Sequence, residues 1–362
     1  MNGPLRDAVV VGGGPAGLAF AIAAARRGLS VTVLEKREGP VDKACGEGIL
    51  PAGVRALAAL GVTGRLDPEH TAAFQEIRWI ERHDAARLRL PAPGGLGVRR
   101  TALSAALSAR AREAGAELVQ ADVHAHRRER DRIWAVSSAG DVPAKVLVAA
   151  DGLSSAVRRR EGLERSASGP ARYGVRRHFA IPPWAEAVEV HFGPGAEAYV
   201  TPVGARRVDV AFLFERQGPV EYEALLARFP ALAHLLEGAP AITAPRGAGP
   251  LARRARARIA DRLVLLGDAA GYLDAVTGEG LSLAFGCALD LAALLPAALG
   301  EGATRAALAP YERAWRRRFA PYWAWTRIVL GLTRHPALRH RMLALAASRP
   351  APFERAVRLA VG

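Results

Sequence analysis

Disulfides are the first thing this sequence cannot build on, because its 362 residues hold two cysteines, Cys45 and Cys287. Two thiols are too few for a disulfide framework, so apolar burial must carry the fold and a reducing compartment is the natural setting. Half of the residues are hydrophobic, enough for a sizeable core at a length that suits one large or two smaller domains. No uninterrupted apolar run reaches the roughly 18 residues that a bilayer span requires. The first residues lack the basic region, hydrophobic stretch and cleavage site of a secretory leader. A cytoplasmic protein is expected, peripheral at most to the inner face of a membrane. Zinc-finger spacing, an RNA-binding signature and a base-stacking aromatic stripe are also missing, and no metal is expected. The net charge of +15 is arginine enrichment spread through an Ala- and Arg-rich chain, so no nucleic-acid partner is expected. Internal repeats and low-complexity linkers are absent.

What is present is a sequence of short buried strands, each ending in a glycine or an acid. Residues 7–11 are an apolar strand, 15–27 have helical spacing, Gly28 stops the helix and 31–34 form the next strand. A loop over 38–48 leads to a helix over 52–60. Residues 74–90 alternate about His83-Asp84 as a hairpin does. Helical spacing returns over 101–114, and 146–150 are a buried strand running into Asp151-Gly152. Period two over 173–214, interrupted by Pro182-Pro183, Gly193-Pro194-Gly195 and Gly204, predicts an antiparallel sheet. Residues 221–237 read as helix and 262–266 as a third buried strand ending at Gly267-Asp268. An Ala/Leu helix follows from Glu279, and the last sixty residues are helical.

Gly12-Gly-Gly14-Pro15-Ala16-Gly17 satisfies G-x-G-x-x-G between the first strand and the first helix. Gly12 permits the tight turn, Gly14 lets backbone approach a pyrophosphate, and Gly17 lets helix and strand pack closely. The amides that open the helix favour the pyrophosphate's negative charge. Glu35 ends the second strand where an acid would bind ribose hydroxyls, with Lys36 beside it. An adenine dinucleotide is therefore expected.

Two later segments resemble the flavoprotein hydroxylase (para-hydroxybenzoate hydroxylase-like) and geranylgeranyl reductase superfamily of FAD-dependent oxidoreductases. Ala150-Asp151-Gly152-Leu-Ser-Ser155-Ala-Val-Arg158 is similar to its D-G motif. Gly267-Asp268-Ala-Ala-Gly271 is similar to its G-D motif, whose aspartate binds the ribityl chain. The resemblance implies FAD, with Arg100 as a contact (Arg99 if the register slips by one) and Val123 as another. Lys43-Ala-Cys45-Gly46-Glu47-Gly48 resembles the K-x-C-G-G-G loop of the reductase branch. Thr277-Gly278-Glu279-Gly280-Leu281 resembles its T-G-E-G-I segment, whose helix-opening amides would face the flavin. Gly271-Tyr272 stand where many hydroxylases have histidine and prolines.

Other positions pull away from the reductases. Glu47 replaces a glycine, and Y-x-W-x-F-P is represented only by Tyr199-Val-Thr-Pro202. Segments 173–179 and 188–192 look like hydroxylases found beside polyketide synthases. The leading expectation is an NAD(P)H-dependent FAD monooxygenase hydroxylating an aromatic or polyketide-like apolar compound. The alternative is a geranylgeranyl-reductase-like enzyme reducing C=C bonds of a lipophilic substrate, and the third is a basic membrane- or nucleic-acid-binding protein that retains the fold. Cys45, Glu47 and Tyr199 are the candidate proton donors. Each also reads plainly as structure: a small buried residue, a loop charge, a sheet aromatic. His178 and His191 suit core or edge positions better than a pocket, and Cys287 suits packing.

The expected fold is α/β. A Rossmann-type FAD-binding domain (1–72, 98–170 and 252–300) is interleaved with a mainly antiparallel substrate domain (73–97 and 171–251). A C-terminal helical segment (301–362) follows, whose Trp315, Tyr322, Trp323, Trp325 and interleaved arginines, out to Arg355 and Arg358, fit a helical cover or a membrane-facing helix.

Overall fold

The computed structural model describes residues 4–82, 84–167, 169–215, 220–349 and 351. His83, Arg355 and Arg358 lie outside them. The architecture is mixed α/β with a helical C-terminal part, as expected.

The first sheet is built on apolar strands buried on both faces. Arg6–Val11 lies between Val31–Glu35 and Val142–Ala149, parallel to both, and Leu263–Leu265 extends the parallel set beyond Val142–Ala149. Val9, Val10, Val146, Leu147 and Val148 are fully enclosed, as strands covered on both faces must be. Helix Pro15–Ala25 opens with proline at its first turn, which fixes φ where no amide is needed. Its glycine and alanines allow close approach to helix Gly280–Gly300, one of its main packing partners. Because the strands are parallel, the residues after Val11, Ala149 and Leu265 emerge along one edge. Ligands of open α/β sheets bind at that edge.

Periodicity did not reveal the next part of this sheet. Strands Val123–Arg128, Ile133–Ser137 and Val142–Ala149 form an antiparallel meander beside Arg6–Val11, and Glu117–Gln120 caps the other flank. Only 146–150 were apolar enough to read as a strand. Val123–Arg128 carries two histidines and two arginines, since it is an outer strand.

The second sheet runs in the order Arg246–Ala248, Arg172–Phe179, Val208–Glu215, Ala196–Pro202, Ala187–Gly193, Glu76–Glu81, Asp84–Arg89. All its pairs are antiparallel except Ala187–Gly193 with Glu76–Glu81. Alternation divides its faces. Ala198, Val200, Val210 and Phe212 pack against Tyr222, Leu225 and Phe229 of the short helical region. Thr201, Asp209, Ala211 and Tyr199 fall on the opposite face, and register places His178 opposite Asp209 and Tyr199 opposite Ala211. Three short strands, Gly48–Ile49, Thr71–Phe74 and Gly95–Val98, form a small sheet of their own. It takes strands from both sides of the boundaries placed at 72/73 and 97/98.

Helix Gly280–Gly300 is long and apolar enough to cross a membrane, although Asp290 interrupts it. It packs against Pro15–Ala25, Pro51–Leu60 and Ala309–Arg334, with Phe285, Leu291, Ala292 and Leu295 fully enclosed. Helix Ala309–Arg334 lays Tyr311, Trp315, Phe319 and Tyr322 onto the core, Trp315 stacking on Phe319 at 4.0 Å between centroids.

Candidate functional site

The sheet edge opens onto one large cavity of about 620 Å³. One end is walled by Gly14, Pro15, Ala16, Gly152, Gly267 and Asp268, and the middle by residues 43–48, Arg100 and 275–282. Leu50, Phe74, Trp79, Leu88, Val190 and Trp325 wall the other end.

At the glycine turn each residue has a distinct steric reason. A Cβ on Gly12, which has φ +107°, would lie 2.5 Å from the Ala150 oxygen, and one on Gly17 would lie 2.2 Å from the Gly12 oxygen. At Gly14 a Cβ meets nothing within 4 Å, and no side chain caps the helix there. That is open space in front of helix-opening amides. Glu35 accepts hydrogen bonds from the amides of Gly13 at 2.7 Å and Arg37 at 3.1 Å. It lies outside the cavity, as do exposed Lys36 and half-buried Val123.

Asp151 takes the amides of Ala156 and Val157 through one oxygen, while its buried Oδ1 has no partner. The segment's arginine, to which the sequence assigned no role, joins two motifs. Arg158 is completely buried and donates to the carbonyls of Leu153 (2.7 Å) and Ala269 (3.0 Å). It thereby ties the segment after Asp151 to the one after Asp268. Burial raises the Asp268 carboxyl above its usual range, against the opposing pull of Lys43, Arg100 and Arg158. Lys43 also went unassigned; its ammonium lies 2.7 Å from where a Gly152 Cβ would stand. Burial lowers its pKa, with Asp268 opposing.

The middle wall holds polar atoms without a partner among the described residues, Arg100 Nε and Ser282 Oγ, beside the neighbouring Thr277 and Glu279 side chains. Arg100, not Arg99, lines the cavity. Gly278 has φ +69° and open space at its Cβ position, and Gly280 and Leu281 begin the long helix. Desolvation pushes Glu279 up to about 7. A carboxyl with a raised folded pKa binds its proton more tightly in the native state, so stability falls as pH rises from the unfolded value through the folded one. The cofactor-free protein should therefore lose stability between about pH 4.5 and 7. Denaturant titrations across that range should show a flatter profile for Glu279→Gln.

Cys45 lines the cavity, and burial raises its thiol pKa, which keeps the proton on sulfur. Tyr199 also lines it and donates to the Val276 carbonyl at 3.0 Å; burial raises its phenol strongly. Glu47 differs from the loop charge it resembled in sequence, being almost fully buried, with its carboxylate turned toward His178. Neither His178 nor His191 lines the cavity; His191 pairs with Glu189 at 3.1 Å. Cys287 is buried in the core helix.

The residues present fit an FAD. There is a glycine cradle at helix-opening amides, an acid at the end of the second strand, a buried aspartate at the sheet edge, and unpaired polar atoms on the middle wall. Fold and site together define a Rossmann-type FAD-dependent oxidoreductase. The chain belongs to the FAD binding domain family, which matches residues 6–324. It is 32% identical over 336 residues to digeranylgeranylglycerophospholipid reductase 1 of Methanopyrus kandleri, covering 86% of each chain. Among solved structures it is similar to a flavin-dependent brominase, at TM-score 0.82 and 18% identity, covering 98% of this chain and 94% of that one. It is also similar to a flavoprotein/dehydrogenase from Cytophaga hutchinsonii, at TM-score 0.80 and 18% identity, covering 90% and 85%. A binding protein that merely keeps the fold is thereby set aside: the family is one of FAD-dependent enzymes.

Proposed function

We propose that the protein is an FAD-dependent reductase that saturates C=C bonds of a lipophilic, isoprenoid-like compound. This reverses the order of preference the sequence suggested, hydroxylation first. The observation that carries it is the apolar end of the cavity. Leu50, Phe74, Ile77, Trp79, Leu88 and Leu90 line a space continuous with the Cys45 loop and the Thr277–Leu281 wall. Such a wall suits a long hydrocarbon, which has nothing to hydrogen-bond. The similarity to a reductase named for a geranylgeranyl lipid, across most of both chains, supports the same reading.

Gly14, Arg100, Asp151, Gly152, Asp268 and the 278–281 segment would hold the FAD. Bound there, FAD supplies two-electron hydride chemistry, with NADH or NADPH as the proposed ultimate donor. Saturation places a hydride on one carbon and a proton on the other. The Cys45 thiol, kept protonated by burial, is positioned to hold that proton at the cavity wall. Tyr199 is occupied by the Val276 carbonyl and orients the wall instead. The apolar side chains exclude water. Dithionite-reduced enzyme should convert a polyprenyl lipid under argon to a product that has gained hydrogen. A product that forms only with oxygen, and carries label from isotopic oxygen gas, would establish hydroxylation instead.

Helices Ala309–Arg334 and Pro336–Ser348 carry four exposed large apolar side chains, Ile328, Leu338, Met342 and Leu345. Trp325 and Val329, on the first of these helices, line the cavity. We read this face, with Arg327 and Arg341 beside it, as a peripheral contact with the membrane from which the substrate is drawn. Anionic vesicles should sediment the protein, and the double variant Leu338→Glu/Leu345→Glu should stay in the supernatant. Equal sedimentation of both would refute it.

A further inference from the structure

Behind the Cys45 loop lies a buried group of polar side chains that the reaction does not account for. Glu47 has φ +54°, a left-handed conformation that a side chain rarely adopts. Its carboxylate takes two hydrogen bonds there, from the Arg100 amide at 2.8 Å and from His178 Nε2 at 2.8 Å. Arg176 and Arg99 stand 3.7 and 3.9 Å from it. The Arg100 amide belongs to the first residue of helix Arg100–Glu113, where a carboxylate also meets the positive end of the helix dipole. Glu47 thus occupies a cap that Arg99, the residue before the helix, does not supply. Its own carbonyl takes the Val98 amide, and the Gly46 carbonyl takes the Thr201 hydroxyl at 2.8 Å.

Asp209 completes the group. It is fully enclosed, 3.5 Å from His178 Nε2, and neither carboxyl oxygen has a hydrogen-bond partner. Glu47, His178 and Asp209 offer ligand atoms all within 4.8 Å of one another, a spacing that would suit a metal ion. The tautomer argues otherwise. His178 Nδ1 faces Arg176 Nη1 at 2.9 Å, and a guanidinium can only donate, so the proton sits on Nε2. A protonated Nε2 has no lone pair for a metal, and two guanidiniums already stand beside the carboxylate. Asp209 instead stands behind the pair, with no donor to either oxygen. Burial, then the Glu47 carboxylate, pushes it well above the usual range, against Arg176 and Arg99. Asp42, paired with Arg176 and Arg246, adds to the raising.

We propose that Glu47 is a positioning residue of the redox site. Its carboxylate, clamped between His178 and the Arg100 amide with Asp209 behind, fixes the loop carrying Cys45 against the helix start carrying Arg100. The clamp joins the dinucleotide fold to the second sheet, because Glu47 lies on one and His178 and Asp209 on the other. This explains how glutamate occupies a left-handed position where the reductase loop has glycine: the charge it brings is spent on the junction. The proposal is independent of whether the substrate is reduced or hydroxylated.

The test compares FAD-loaded wild type with E47G, E47Q and D209N. Glycine accepts the left-handed backbone, so E47G removes the clamp without straining the loop. Modification of Cys45 by an aromatic disulfide reagent should become about tenfold faster, and FAD should bind about tenfold more weakly, as expected on losing a charge-assisted hydrogen bond. Cys287, buried in the core helix, is the internal control and should stay unreactive. E47Q, which can accept from only one of the two donors, should fall between, and it carries the test alone should E47G not fold. D209N keeps the side-chain shape behind the clamp and leaves both hydrogen bonds to Glu47 in place, so it should lie closer to wild type than to E47G in both readouts. Thiol rate and FAD affinity within twofold of wild type in folded E47G, or in E47Q if that variant stands alone, would overturn the proposal. A D209N variant behaving like E47G would overturn the placing of Asp209 as a support behind the clamp rather than a part of it.

Discussion

Gly17→Val should purify colourless, with FAD affinity reduced by at least about 100-fold. The reason is geometric. Even a methyl at Gly17 would sit 2.2 Å from the Gly12 carbonyl oxygen, 3.0 Å from Val10 and 3.2 Å from Ala150. None of these can retreat cheaply, because Val10 is fully enclosed in the central strand and Gly12 forms the turn itself. The helix must move off the sheet, and the helix-opening amides that would face the pyrophosphate move with it. Circular dichroism should still report a folded protein, since the displacement begins at one turn. Isothermal titration of the cofactor-free protein with FAD measures the loss. Near-native affinity would mean that the glycine turn does not hold the dinucleotide.

Arg158→Ala should be the most destabilising single truncation in the site, by about 2–4 kcal/mol, from the void left by a fully enclosed long side chain and the lost donor to a buried carbonyl. The guanidinium has no solvent exposure and reaches the carbonyls of Leu153 and Ala269 and the carboxylate of Glu164 at 3.1 Å. Truncation takes the side-chain donor from the buried Ala269 carbonyl and leaves a void, while the Leu153 carbonyl keeps Arg253 Nε at 2.9 Å. Because those carbonyls follow Asp151 and Asp268 in sequence, the two acids should lose register and FAD retention should fall with stability. Arg158→Lys should not rescue it, since one ammonium cannot reach the separate acceptors that a planar fork spans. Urea denaturation of the cofactor-free variant tests this; a loss below about 1 kcal/mol would contradict it.

What the sequence disclosed, and what it withheld, follows from how local each signal is. The strand–turn–helix at residues 6–25 was legible because strand, glycines and helix are adjacent in the chain. Asp151 and Asp268 were legible because each ends a short apolar strand, and parallel pairing then brings both to one edge. The outer strand Val123–Arg128 was not, since a charged edge strand has no apolar period to read. Arg158 was visible in its motif but not its burial, which depends on carbonyls more than a hundred residues away in sequence. Glu47 was judged a loop charge for the same reason: its partner His178 is 131 residues distant. Hydrophobic pattern reports which face is buried. It cannot report which buried polar atoms meet.

What reoxidises the reduced flavin separates saturation from hydroxylation most directly. Enzyme reduced under anaerobic conditions, mixed rapidly with a polyprenyl lipid and followed at the flavin absorption band, should regain its oxidised spectrum without oxygen, at a rate that saturates with lipid. A spectrum that stays reduced until oxygen is admitted, and then passes through a hydroperoxyflavin band as the lipid is hydroxylated, would contradict it.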